Sequence, residues 1–322
     1  MRKLLSQGTF LAVVVIIGVA ASGCSKVNML RAKAAFKNAN TQYQAMNYKS
    51  AAEKYEQVVA LDPSLADAYF FLGNSYDNLY NSAKKGDPVN DAFLTKAIEN
   101  YRKASETEHP QSPTLKTLSL QYLIAAYSPD KADDPQKAME IIQRMIQINP
   151  KDLTSYYQLA QLYESGGDYD MAEATLLKAK EINPNDGTVY AQLAAFYGRQ
   201  GDFDKTIEAL NQRVVIEPNN PEAHHTIATY YWDEVYKNFK LKDADKKKYL
   251  EAGIAASDKA IALKDDYYEA ITYKNLLLRQ EALLEKDPAR QQALLKQADQ
   301  LRDRAQELQK QQKAAAAAPS KG

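Results

Sequence analysis

From Arg31 onward, apolar residues recur at helical spacing, and the runs are broken at regular intervals by Gly, Pro and Asn. The clearest stretch is 153–220. Tyr156, Leu159, Ala160, Tyr163, Gly167, Tyr169, Ala172, Leu176, Ala179 and Pro184 set a register there. Tyr190, Leu193, Ala194, Tyr197, Gly201, Phe203, Leu210 and Pro218 repeat it 34 residues later. A period of that length predicts a stack of helical hairpins, an all-α architecture in which each hairpin buries its apolar face only against its neighbours. The small side chains Ala160, Ala172 and Ala179 let paired helices approach, and rings such as Tyr163 and Tyr169 fill the space between hairpins. Gly167 and Gly201 suit the left-handed backbone of a helix end. Pro184 and Pro218 stop the helix before them.

The same pattern, loosened, extends to both sides. It predicts units at about 32–65, 66–110, 112–152, 153–186, 187–220 and 221–266, with a seventh hairpin from 267 to 285 and onward. Two units are too long. Insertions are expected at about 77–96, where Gly86-Asp87-Pro88 reads as turn chemistry, and at about 233–249, which carries six lysines. The second insertion is either a contact surface for acidic lipid, glycan or protein, or a solvated helical extension. Residues 286–313 predict a long capping helix with one apolar stripe, and 314–322 an Ala-rich frayed tail.

The pattern resembles the tetratricopeptide repeat family over roughly 32–285, most strongly at 153–220. The resemblance implies a right-handed α-solenoid of about seven hairpins, whose inner groove is lined by the first helix of each repeat and holds a peptide or extended segment. Gly73, Tyr163, Gly167, Ala172, Ala179, Pro184, Tyr197, Gly201 and Pro218 fall on the family's structural positions. Its groove-facing positions select Phe70, Asn74, Tyr157, Gln161, Glu164, Arg199, His225, Thr229 and Trp232. For Trp232 two readings stand, a binding hot spot and a packing residue against the Lys-rich insertion. The basic and Asn clamp by which some members hold a carboxylate is missing, since Phe70 stands at its first basic position.

The N-terminus reads as an address. Met1-Arg2-Lys3 precedes an apolar run, Phe10 to Ala21, that is short for a finished membrane span but suits a secretory segment. It ends in Ala21-Ser22-Gly23-Cys24, and Cys24 is the only cysteine. This resembles the lipobox of bacterial lipoproteins, with Ala21 where Leu is usual. The resemblance implies removal of residues 1–23, acylation of Cys24, a short linker over 24–30 and a lipid anchor. Ser25 after the cysteine leans toward the periplasmic face of the outer membrane. A plain signal peptide and an uncleaved anchor are the alternatives.

Composition adds exclusions. The chain has 41 basic and 41 acidic side chains, and losing residues 1–23 removes only Arg2 and Lys3. That near-neutrality gives no reason to expect nucleic acid as a partner. His109, His224 and His225 are the only histidines, and adjacent ones point apart on a helix, so no HExxH-type metal site is expected. No phosphate-binding loop, dinucleotide fingerprint or GxSxG occurs. We therefore expect no enzyme activity, cofactor or metal. The expected function is a membrane-tethered adaptor that binds protein or peptide segments in the assembly of a cell-envelope complex. Alternatives are an oligomeric scaffold that uses its convex face and insertions, or a binder of glycan or cell-wall fragments.

Overall fold

The computed structural model describes residues 27–108, 112 and 114–317. The leader segment, Cys24, His109 and residues 318–322 lie outside them. Among the described residues there are fourteen α-helices and no strand. The described residues form two compact units, divided within one helix after Leu162.

The first unit holds α1 (27–44), α2 (Tyr48–Leu61), α3 (Ala66–Leu79), α4 (Pro88–Glu106), α5 (Thr114–Ala126) and α6 (Pro135–Ile148). Consecutive helices pack on each other from α2 to α6. Their core is built from small residues between helix axes, such as Ala51, Ala97 and Ala104, and from rings between hairpins. Tyr55 and Tyr101 are fully buried. The division falls in α7 (Leu153–Ser165). Then come α8 (Tyr169–Ile182), α9 (Gly187–Gln200), α10 (Phe203–Ile216), α11 (Pro221–Lys237), α12 (Asp243–Leu263), α13 (Tyr268–Leu284) and α14 (Pro288–Ala317). From α8 to α14 neighbours again pack in order, and α11 also reaches α13.

A Gly-Asp pair both ends one helix and begins the next. Gly167 and Gly201 take φ of +81° and +75°, where a side chain would be strained. The amide of Asp202 then donates to the Tyr197 carbonyl at 3.0 Å, and that of Gly201 to Gly198 at 3.2 Å. These bonds satisfy the orphan carbonyls of the α9 terminus. The Asp202 side chain turns forward and accepts from the Lys205 amide at 3.1 Å, capping α10. Asp168 does the same for α8. Between α1 and α2 the same turn is built from Met46-Asn47: Met46 sits at φ 58°, and Asn47 offers no side-chain cap.

The first long unit divides its extra residues between a longer connection and helix, and the second spends them mainly on helix. In the first, α4 runs for 19 residues where the regular second helices run for 14. Asp87 caps it through the amides of Val89 and Asn90. Asn90 is buried and ties the preceding loop down by donating to the carbonyls of Asn81 and Lys84. In the second, α11 and α12 lengthen to 17 and 21 residues around a short turn. Helix α14 continues through Ala317, past the expected start of the tail at Ala314. Its ordered stripe docks on α13, with Ala298 and Ala305 buried. Among the described residues no helix is long and apolar enough to cross a membrane.

One ring differs from expectation. Tyr169 is 48% exposed. Its counterpart Phe203 meets Tyr231 and Tyr249 at centroid distances of 5.6 and 5.0 Å. Tyr249 belongs to the second insertion, so the ring that covers Phe203 comes from a segment the regular repeat lacks.

Candidate partner-binding clefts

The nine groove positions separate into interior and surface residues. Phe70 and Asn74 are interior and correct the sequence expectation. Phe70 is 4% exposed and packs edge-on against Phe71 and Tyr122, at 5.3 and 5.5 Å. Asn74 accepts from the Tyr43 hydroxyl at 2.6 Å and donates to that of Tyr101 at 3.3 Å. Both side chains are consumed by packing, because α4 and α5 bring Tyr101 and Tyr122 across what would have been an open helix face. In the same unit Tyr157 is half-buried and Gln161 exposed.

In the second unit, Glu164 and Arg199 find each other. The guanidinium donates through Nε and Nη2 to the two carboxylate oxygens at 2.7 and 2.8 Å. That two-point bond is the main reason the Glu164 carboxyl sits below its ordinary pKa, and burial opposes it. His225 lies between Tyr267 and Tyr273, with centroids 5.1 and 5.2 Å away. Its Nδ1 is buried without a hydrogen-bond partner, and burial pushes its pKa down. Trp232 stacks on Tyr236 at 4.9 Å and meets Tyr273 edge-on. It also packs against the Ala228, Val235, Leu250 and Leu277 cluster. Leu250 follows the Lys-rich insertion, so the packing reading of Trp232 is the one the geometry matches. Its indole Nε1 is buried without a partner.

Arg199 and Thr229 line an actual concavity. With Ala195, Gly198, Tyr230 and Asp233 they line an open cleft of about 270 Å³. Gly198, Tyr230 and Asp233 also line a larger neighbouring cleft of about 600 Å³. Phe203 and Thr206 contribute from α10, and Glu234, Lys237 and Phe239 from α11 and its turn. Gly198 makes this opening possible. A Cβ there would stand 2.6 Å from the Tyr230 ring, so the ring lies across α9 only because position 198 has no side chain. Burial raises the Tyr230 pKa, so its hydroxyl stays protonated, able to donate and accept. The rim carries both charges: Asp233 accepts from Lys237 at 2.6 Å, and Glu234 from Asn238 at 2.6 Å. A floor of rings with hydrogen-bonding groups at the rim can take apolar side chains and pair with a peptide backbone. Among the described residues no group of three or more His, Cys, Asp or Glu side chains could hold a metal.

A polar triad that the sequence reading missed recurs in the two units. In the second, the Tyr197 hydroxyl donates to Glu173 at 2.8 Å, and Lys205 joins the same oxygen at 3.0 Å. Lys205 also lies over the Tyr197 ring, 4.9 Å from its centroid. In the first, Tyr76 donates to Glu56, Lys96 pairs with Glu56 at 3.2 Å, and Lys96 covers the Tyr76 ring at 4.7 Å. Each triad joins a second helix to the next hairpin. Its signal was hidden by the insertion: Lys96 follows Tyr76 by 20 residues, whereas Lys205 follows Tyr197 by 8.

Comparison with known proteins agrees with this hairpin geometry. Residues 131–196 match the tetratricopeptide repeat family model. The C-terminal part of a TPR repeat-containing protein from Cytophaga hutchinsonii superposes with a TM-score of 0.57 at 16% identity, over 83% of this chain and 95% of that one. The fold is that of the tetratricopeptide repeat. YrrB, described as a TPR protein with an unusual peptide-binding site, gives 0.39 at 20% identity, over 60% of this chain and 89% of that one. MamA from Desulfovibrio magneticus RS-1 gives 0.41 at 17% identity, over 67% and 96%. No curated protein matches the chain in sequence.

Proposed function

We propose that this TPR protein is a membrane-tethered adaptor that holds segments of partner proteins and organises a cell-envelope complex. The observation that carries the binding reading is the pair of adjoining clefts around Gly198 and Tyr230. They join an aromatic floor to a rim of both charges, and they include Arg199 and Thr229, which the repeat register also selects. An extended segment fits this chemistry better than a small polar metabolite, because the opening runs along α9 and α11 and is not enclosed. The tether rests on sequence alone: the short apolar run and Ala21-Ser22-Gly23-Cys24 support acylation of Cys24 and a place on the periplasmic face of the outer membrane.

Two substitutions test the two halves separately. Gly198→Ala forces the Tyr230 ring out of its place across α9, and partner recovery from envelope extracts should fall while the thermal unfolding midpoint stays within a few degrees. Unchanged recovery would remove the cleft from the account. Cys24→Ser should release the protein from the membrane fraction and abolish a lipid-dependent mass increment. Retention with no lipid mass in the parent protein would contradict the tether.

A further inference from the structure

The turn joining α11 to α12 carries a ring that borders the larger cleft and also stands out into solvent. Phe239 is 91% exposed, the most exposed large apolar side chain among the described residues. It is held out by an ordered turn. The Asn238 side chain accepts from the Lys240 amide at 3.0 Å and donates to Glu234 at 2.6 Å, and the Leu241 amide closes on the Asn238 carbonyl at 3.2 Å. Tyr236, 54% exposed, stands on the same tip. Residues 236–248 hold six lysines against two aspartates in a chain that is neutral as a whole. Lys237 pairs with Asp233. Lys240, Lys242, Lys246, Lys247 and Lys248 make no ion pair among the described residues.

We propose that this hairpin tip is a contact site for an anionic lipid surface, with Phe239 entering the boundary between headgroups and acyl chains while the unpaired lysines meet the lipid charge. The chemistry favours a bilayer over a protein. One protruding ring beside unpaired lysines offers far less contact than the ~1,200–2,000 Å² that a stable protein interface buries. A fluid surface needs no shaped pocket: a ring fits at its boundary, and each nearby lysine adds attraction to anionic headgroups. The contact is independent of acylation at Cys24.

The test uses the full chain carrying Cys24→Ser in every arm, mixed with phosphatidylcholine vesicles that contain or lack phosphatidylglycerol. The parent should bind the anionic vesicles and not the neutral ones. Phe239→Ser should weaken that binding about tenfold, and exchanging the five unpaired lysines for Gln should abolish it. Because five of these six positions are exposed and Lys246 is half-buried, both variants should unfold close to the parent's temperature, and a variant that does not is replaced by Phe239→Trp with Trp232→Phe. That protein should be quenched by brominated acyl chains. Equal binding to both vesicle types, parent-like binding by the variants, or no quenching would overturn the proposal. So would a photo-crosslinker at position 239 that captures a protein while vesicle binding is absent. Gly198→Ala, which displaces the Tyr230 ring of the partner cleft, should bind anionic vesicles normally, so failure of one site is told from failure of the other.

Discussion

Tyr190 donates its hydroxyl to the carbonyl oxygen of Pro184 at 3.0 Å, six residues back across the turn between hairpins. Tyr156 makes the same bond to Pro150 at 3.1 Å. One period later His224 takes over, with Nε2 3.0 Å from the Pro218 carbonyl. A carbonyl only accepts, so Nε2 carries the proton. Tyr190→Phe deletes this bond while leaving the buried ring, and should cost about 1 kcal/mol in urea unfolding. His224→Tyr, which restores the residue of the other two units, should be better tolerated than His224→Ala.

The Met46 turn lacks the glycine of the regular units. An L side chain at φ 58° is strained by roughly 1–2 kcal/mol, offset in part by the greater unfolded-state freedom of Gly. Met46 is 73% exposed, so little packing is lost with it. Met46→Gly should therefore raise stability by about 0.5–1 kcal/mol, read as a higher melting temperature.

The Glu173 carboxyl is held below its ordinary pKa by the Tyr197 hydroxyl first and Lys205 second. A depressed carboxylate contributes stability that is complete above its unfolded value, about 4.3, and is lost as pH falls through the lower folded value. Glu173 and Lys205 are 30% and 49% exposed, so the effect should stay under about 1 kcal/mol. Glu173→Gln should flatten that part of an acid-unfolding curve, and an unchanged curve would remove the triad from the acid response.

His225 acts at milder pH. Burial disfavours its charged form, with Glu269 and Glu222 opposing weakly. The unfolded chain therefore takes up the proton first. Stability should decline as pH drops below about 6.5 and level off once the folded value is passed. His225→Phe should remove that slope, which chemical unfolding at a series of pH values would reveal.

The hairpin order was legible because the punctuation is local: Gly167-Asp168 and Gly201-Asp202 each stop a helix and cap the next within two residues. The groove was legible only in part, and not by the regularity of the unit, since Thr229 stands in a lengthened one. Arg199 and Thr229 do line a cleft. Asn74 stands on α3 where Thr229 stands on α11, and Phe70 where His225 stands, but Tyr101 and Tyr122 cover the α3 face, and which rings cover a helix face is set by neighbours many residues away. For the same reason a variant that removes Phe70 would report on folding instead of binding. The clefts themselves depended on Tyr230 crossing Gly198 and on the length of α11, and neither can be read from the period. The leader and residues 318–322 lie outside the described residues.

The most direct test of the account is a photo-crosslinking residue at Thr229, in the wall of the smaller cleft, expressed in the native envelope with Gln161 as the comparison site on the exposed face of the other unit. The account predicts a discrete crosslinked protein partner from position 229, lost when Gly198→Ala is added and absent from position 161. The same partner captured equally from both sites, or undiminished capture in the presence of Gly198→Ala, would contradict it.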